Sequence, residues 1–342
     1  MFGHRNSYRN SQSYEHNHRH DAHIHTHGVI DPSIFTTQRG IWAIKWSFFG
    51  LLATALFQVV IVLVSGSVAL LADTIHNIGD AATAIPLWIA FTLARKNPTK
   101  RFTYGYGRVE DLAGVAIVLT ILFSAIVAGY VSIDRFFHPQ TVTHLWAVVT
   151  ASVIGFLGNE AVAQFRINVG KEIGSAALIA DGHHARVDGL TSLAVLFGAV
   201  GVWLGYPLAD PIVGLLITVA ILRIVWESGK EIFTRLIDGG DPGIIDEIKH
   251  AVNHTPGVCD IAEVRVRWLG HRLHAELNIA VSPEISVEKG HEVATEVRHQ
   301  LLHHLQYLSN ATIHIDPVNA SGEKYHHITG HAHGDLPAHS HG

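Results

Sequence analysis

Sulfur is nearly absent from this chain. Cys259 is its one thiol and Met1 its one thioether among 342 residues. A disulfide framework and a thiolate cluster are therefore excluded, and the soft ligands that hold Cu(I) are missing. Charged side chains are scarce as well, at 15%, where soluble domains carry about 25%. The His-Glu-x-x-His pattern of zinc hydrolases does not occur, because His291-Glu292 is followed by Thr295 where the second histidine would stand. The amino terminus shows no apolar core behind a basic start, so no cleavable leader is expected.

Apolar residues make up 48% of the chain, yet the mean hydropathy is only +0.25. Polar segments at both ends dilute an apolar middle. A helix needs about 20 mainly apolar residues to cross a bilayer. Six such runs are expected: Ile41–Val64, Ser67–Ala94, Leu112–Val131, Leu145–Phe165, Ser175–Leu204 and Pro211–Trp226, the last extended by an amphipathic run to Phe233. Lys and Arg gather in the loops after the second, fourth and sixth runs, with Arg166 and Lys171 counted in the second of these. The positive-inside rule then puts both termini in the cytoplasm. Histidine is over-supplied, at 27 against 24 Lys and Arg together.

The chain divides into a His-rich tail at 1–38, a six-span domain at 39–235, a soluble domain at 236–320 and a second His-rich tail at 321–342. Both tails are expected to be disordered and read as metal-binding tracts. In the soluble part, Asp241 and Pro242 suit the cap and first residue of a helix. The order helix, strand, strand, helix, strand predicts an α+β layer with helices on one face of a sheet.

One pattern occurs twice. Ala72, Asp73, His76 and Asp80 repeat as Ala180, Asp181, His184 and Asp188, each inside an expected span. Ionisable residues inside a bilayer are costly and mark function. His76 and Asp80 share a helix face, as do His184 and Asp188. Two imidazoles and two carboxylates suit a tetrahedral divalent transition ion. Asp73 and Asp181, one turn earlier, either orient the imidazoles or sit at the membrane edge and meet solvent. Metal binding needs neutral His and ionised Asp, so protons compete near pH 6.5, which permits exchange of metal for protons. A membrane-bound metal sensor or store is the alternative from another class.

With its paired motifs, six spans and soluble tail, the chain resembles the cation diffusion facilitator family over about residues 40–318. The resemblance implies an α-helical membrane protein of six transmembrane helices with a cytoplasmic α+β domain, ferredoxin-like and metallochaperone-like. It implies a homodimer in the lipid bilayer that exports divalent metal against protons, with no enzyme activity and no nucleic-acid partner. Zn2+ is favoured by the two-His two-Asp set, with Co2+, Ni2+, Cd2+ or Fe2+ possible, and a prokaryotic inner membrane is expected. The run Tyr104 to Glu110 is similar to the family's Gly-x-Gly-Lys/Arg-x-Glu stretch, except that Tyr106 stands where some members bind a loop metal through His. Arg108 and Asp238 match a charged pair that secures the dimer in relatives. His291, His314 and Asp316 fall on cytoplasmic ligand positions, while Ala262 and Glu276 depart from the pattern. His274 and Glu276, two apart on one strand, are candidates to complete that site, with His271 nearby.

Overall fold

The computed structural model describes residues 32–65, 84–138, 145–305 and 307–322. His76 and Asp80, with Asp73, and both His-rich tails lie outside the described residues. The helices are α1 (Pro32–Ser65), α2 (Ala84–Ala94), α3 (Arg108–Phe137), α4 (Leu145–Ile173), α5 (Ala176–Trp203) and α6 (Ala209–Leu236). Then follow α7 (Pro242–Asn253), β1 (Asp260–Leu269), β2 (Arg272–Val281), α8 (Val287–His304), β3 (Leu308–Pro317) and a short 3-10 turn, Val318–Ala320.

Among the described residues, α1, α3, α4, α5 and α6 are long and apolar enough to cross a membrane, and α2 is a shorter apolar helix. α2 is the end of the expected second span. The helices outrun the apolar runs that predicted them. α3 starts four residues before Leu112, and α6 continues to Leu236. Thirty-four residues give α1 a length of about 51 Å, against a hydrocarbon core of about 30 Å. Hydropathy reports only the part in lipid, while backbone hydrogen bonding carries the helix beyond it.

Side chains of Leu87 and Phe91 on α2, Ile117 and Ile121 on α3, Leu178 on α5 and Ile221 on α6 form the interior of the membrane part. Large apolar side chains such as Phe123, Tyr130, Leu216 and Trp226 face outward, as lipid contact requires.

The tail domain has the predicted order. β1 pairs antiparallel with β2, and β2 pairs parallel with β3. The parallel pair needs a crossover, and α8 supplies it. Leu273, Ala275, Leu277 and Ile279 alternate onto one face of β2 and pack against Ile248 and Val252 of α7 and Val293, Val297 and Leu301 of α8. Asp241 caps α7, its carboxylate accepting from the Gly243 N–H at 2.9 Å, with Pro242 opening the helix. β1 and β2 are joined by the two residues Gly270 and His271. Gly270 holds φ +65°, and a Cβ there would come within 2.8 Å of the Gly107 carbonyl oxygen. Only glycine suits both that backbone and that approach.

Candidate metal-transport site and its cytoplasmic connections

His184 and Asp188 stand one turn apart on α5, with His Nδ1 4.0 Å from a carboxylate oxygen of Asp188. Their side chains are 2% and 7% exposed. A helix face inside the membrane thus presents one imidazole and one carboxylate, half of the expected four-ligand set. The other half, His76 and Asp80, falls on residues that are not described.

Asp181 does not meet solvent. It is fully buried and ion-paired with Arg166 at 3.0 Å. Arg166, itself 1% exposed, lies inside α4 and also donates through Nε to the Ser47 hydroxyl of α1 at 2.9 Å. Arg166 is therefore a buried helix residue and not a loop charge. The apolar run stops at Phe165, but the helix continues to Ile173. A buried charge with its partner removed is strongly destabilising, which explains why Arg166 and Asp181 occur together. Nothing in either residue's neighbours along the chain announced that pairing.

α5 begins at a well-built cap. The Ser175 hydroxyl accepts from the Leu178 N–H at 3.0 Å and donates to Glu110 at 2.5 Å. The other Glu110 oxygen meets His271 Nδ1 at 2.6 Å. His271 Nε2 in turn meets the Thr37 hydroxyl at 2.8 Å, and its ring stacks on Phe91. The neighbouring Asp111 accepts from the Gly270 N–H at 3.2 Å. Glu110 and His271 are both 1% exposed. The hairpin tip of the tail domain is thus plugged between α1, α2 and α3, on the same carboxylate that holds the start of α5. His271 belongs to this joint and not to a site with His274. The sequence placed Glu110 in a notable stretch, but nothing in one dimension linked it to His271, 161 positions away.

A second tie runs beside it. Arg235, near the end of α6, donates to the Gly174 carbonyl at 2.6 Å, and its guanidinium lies 4.3 Å from the centre of the Trp268 ring. Arg108 ion-pairs with Asp238 within one chain and donates to the Arg235 carbonyl at 2.7 Å. Asp238 sits at φ +61°, in the turn that leaves the membrane part.

The cytoplasmic residues are only partly brought together. His314 and Asp316 meet at 3.0 Å. Glu276 is committed to Arg267 at 2.5 Å. His274 is opposite Arg267 on β1 and beside Asn310 on β3, whereas His314 is beside Asn278. That register sets His274 and His314 four positions apart, about 13 Å along the strands. His291 lies on α8, which packs on the apolar face that Ile313 and Ile315 join, whereas His314 alternates to the other. Among the described residues, no three His, Cys, Asp or Glu side chains gather around one point. The five candidates are therefore not gathered around one point in this conformation of one chain.

A bundle of helices long and apolar enough to cross a membrane, tied to an α+β domain, is the architecture of a multi-pass membrane protein. The family model described as the cation efflux transmembrane domain matches residues 44–237, and the cation efflux protein cytoplasmic domain matches residues 241–318. The chain belongs to the cation efflux, or cation diffusion facilitator, family, whose members move divalent metal cations out of the cytoplasm and are not enzymes. A protein of Mycobacterium tuberculosis (strain ATCC 25618 / H37Rv) named "Probable cation efflux system protein" is 52% identical over 301 residues, covering 88% of this chain and 90% of that one. An uncharacterized transporter of Methanocaldococcus jannaschii is 27% identical over 275 residues, 80% of this chain and 96% of its own. Magnetosome protein MamB of Paramagnetospirillum magneticum is 26% identical over 281 residues, 82% and 95%.

Proposed function

We propose that this protein exports divalent transition metal, Zn2+ first among the candidates, in exchange for protons, through a site of His76, Asp80, His184 and Asp188. The observation that carries the reading is the buried pair His184–Asp188, one turn apart on a membrane-crossing helix. Neutral imidazole and carboxylate ligands suit borderline divalent ions, and their protonation opposes metal. At cytoplasmic pH the site holds the ion. Facing a more acidic medium, protons displace it, and the protonated site returns. Co2+, Ni2+, Cd2+ and Fe2+ fit similar ligands.

The protein works as a homodimer in a prokaryotic inner membrane, with both termini cytoplasmic. Residues 236–320 act as the regulatory domain, where His314 and Asp316 are the pair best set to share a metal, and 1–38 and 321–342 are His-rich tails. His291, His274 and Glu276 enter that site only through a second copy or through movement. Arg108 and Asp238 steady the hinge between the two parts.

The test is metal flux in proteoliposomes under an imposed pH gradient. Gradient-dependent Zn2+ flux that disappears in Asp80→Ala and Asp188→Ala supports the carrier and its site. Flux of Co2+ or Ni2+ with little Zn2+ keeps the mechanism and changes the metal. Retained flux in both variants removes the site.

A further inference from the structure

The tail domain carries a group of side chains that neither the transport site nor the strand residues use. Glu247 and His250 on α7 and His254, the residue that caps its C-terminus, follow at i, i+3 and i+7, a spacing that shares one helix face. With His304 and Gln300 of α8 they line one cavity of about 380 Å3.

Three further features favour a cation there. First, α7 ends at Asn253 and α8 at His304, so both helix C-termini meet at the cavity. The partial negative charge of a helix C-terminus attracts cations. Second, His254 Nδ1 lies 2.7 Å from the His250 carbonyl oxygen. A carbonyl only accepts, so Nδ1 carries the proton, and the neutral ring keeps its lone pair on Nε2. Metal-binding histidines are held in this way, with the other nitrogen donating to a carbonyl. Third, the His250 and His254 rings are 4.6 Å apart, centre to centre, at the i, i+4 spacing that lets two imidazoles reach one ion.

We propose that this cavity is a second metal site of the cytoplasmic domain, holding a divalent transition ion on His250, His254 and His304, with Glu247 as the oxygen ligand. Three nitrogens and one oxygen select Zn2+, Co2+, Ni2+ or Cu2+ over Mg2+ and Ca2+. The side chains stand around the cavity without converging. They are exposed, and exposed side chains change rotamer in picoseconds to nanoseconds. Binding draws His304 across and clamps α8 to α7, the two helices that cover the sheet. The site is independent of the transport reading, and it lies on the helix side of the sheet, away from His314.

The experiment is residue-resolved histidine modification of the purified full-length protein. Diethyl pyrocarbonate reactivity is read by mass spectrometry during titration with Zn2+, Co2+ or Mg2+. His138, exposed at the end of α3 and far from the tail domain, is the internal control. His250, His254 and His304 are expected to lose at least fivefold in reactivity along one shared Zn2+ curve, with no change at His138 and none with Mg2+. In His250→Ala, an exposed position, the curves of His254 and His304 shift at least tenfold to higher metal. His304→Gln shifts those of His250 and His254 alike. Protection along unrelated curves, equal protection of His138, or unchanged curves in both variants overturns the proposal.

Discussion

Glu110 and His271 meet at 2.6 Å in a fully buried contact between the membrane part and the tail domain. The same carboxylate receives the hydroxyl of Ser175, the cap of the helix that carries His184 and Asp188. Movement of the tail domain therefore reaches α5 through one side chain. The Thr37 hydroxyl on the far side of the imidazole can donate or accept, so the joint keeps its partners whether His271 is neutral or charged.

Removing either member strands the other. Glu110→Ala and His271→Ala should each destabilise by about 3–5 kcal/mol, the usual loss when one member of a buried pair goes. The double variant should cost little more than either single, because contacting residues are not additive. Thermal melts of the four proteins in one detergent measure this. Additive losses would show that the two residues act separately.

Arg166 and Asp181 should follow another rule. Arg166→Met leaves a buried carboxylate without its counter-charge and should lower the melting temperature sharply. Arg166→Met with Asp181→Leu removes both charges and should recover most of the loss, since apolar replacements of a whole buried pair are often neutral or stabilising. A double variant no better than the single would mean that the pair serves more than charge balance.

If the proposed site carries transport, His184→Ala and Asp188→Ala should cut flux by more than about 100-fold, beyond the 10–100-fold typical of outer-shell losses. Folding should be nearly unaffected. Flux and size-exclusion profiles of the same preparations separate the two effects.

Metal affinity should fall with acidification. Binding requires neutral imidazole, whose ordinary pKa is about 6.5. Each His that must be deprotonated to bind costs up to about tenfold in apparent Zn2+ affinity per pH unit of acidification. Calorimetry at pH 5.5 and 7.5, with Asp188→Ala as the blank, gives the slope. A flat profile would remove imidazole from the site.

Asp238 offers a test of its partner's importance. The Arg108 contact is half exposed, and exposed ion pairs contribute about 0–1 kcal/mol. The φ of +61° suits glycine better than aspartate. Asp238→Gly should therefore leave stability unchanged or slightly higher. If the residue steadies the dimer, light scattering rather than melting will reveal it.

The alternation of apolar and polar residues determined most of the fold by itself. Long apolar runs dictate membrane helices because a bilayer offers backbone groups no other partner. Period-two strands and a helix start at Asp241 and Pro242 are local rules, and the tail domain obeyed them in order. The second His-x-x-x-Asp was equally legible, with His184 and Asp188 one turn apart on one helix, because i and i+4 share a face. Tertiary structure alone decided the rest. Arg166 found Asp181, and Glu110 found His271 and Ser175, through burial that makes an unpaired charge intolerable. His274 and His314 fell out of reach because strand register, set by β2–β3 pairing, fixed them about 13 Å apart. Such contacts depend on which elements become neighbours, and spacing along one chain carries no record of that.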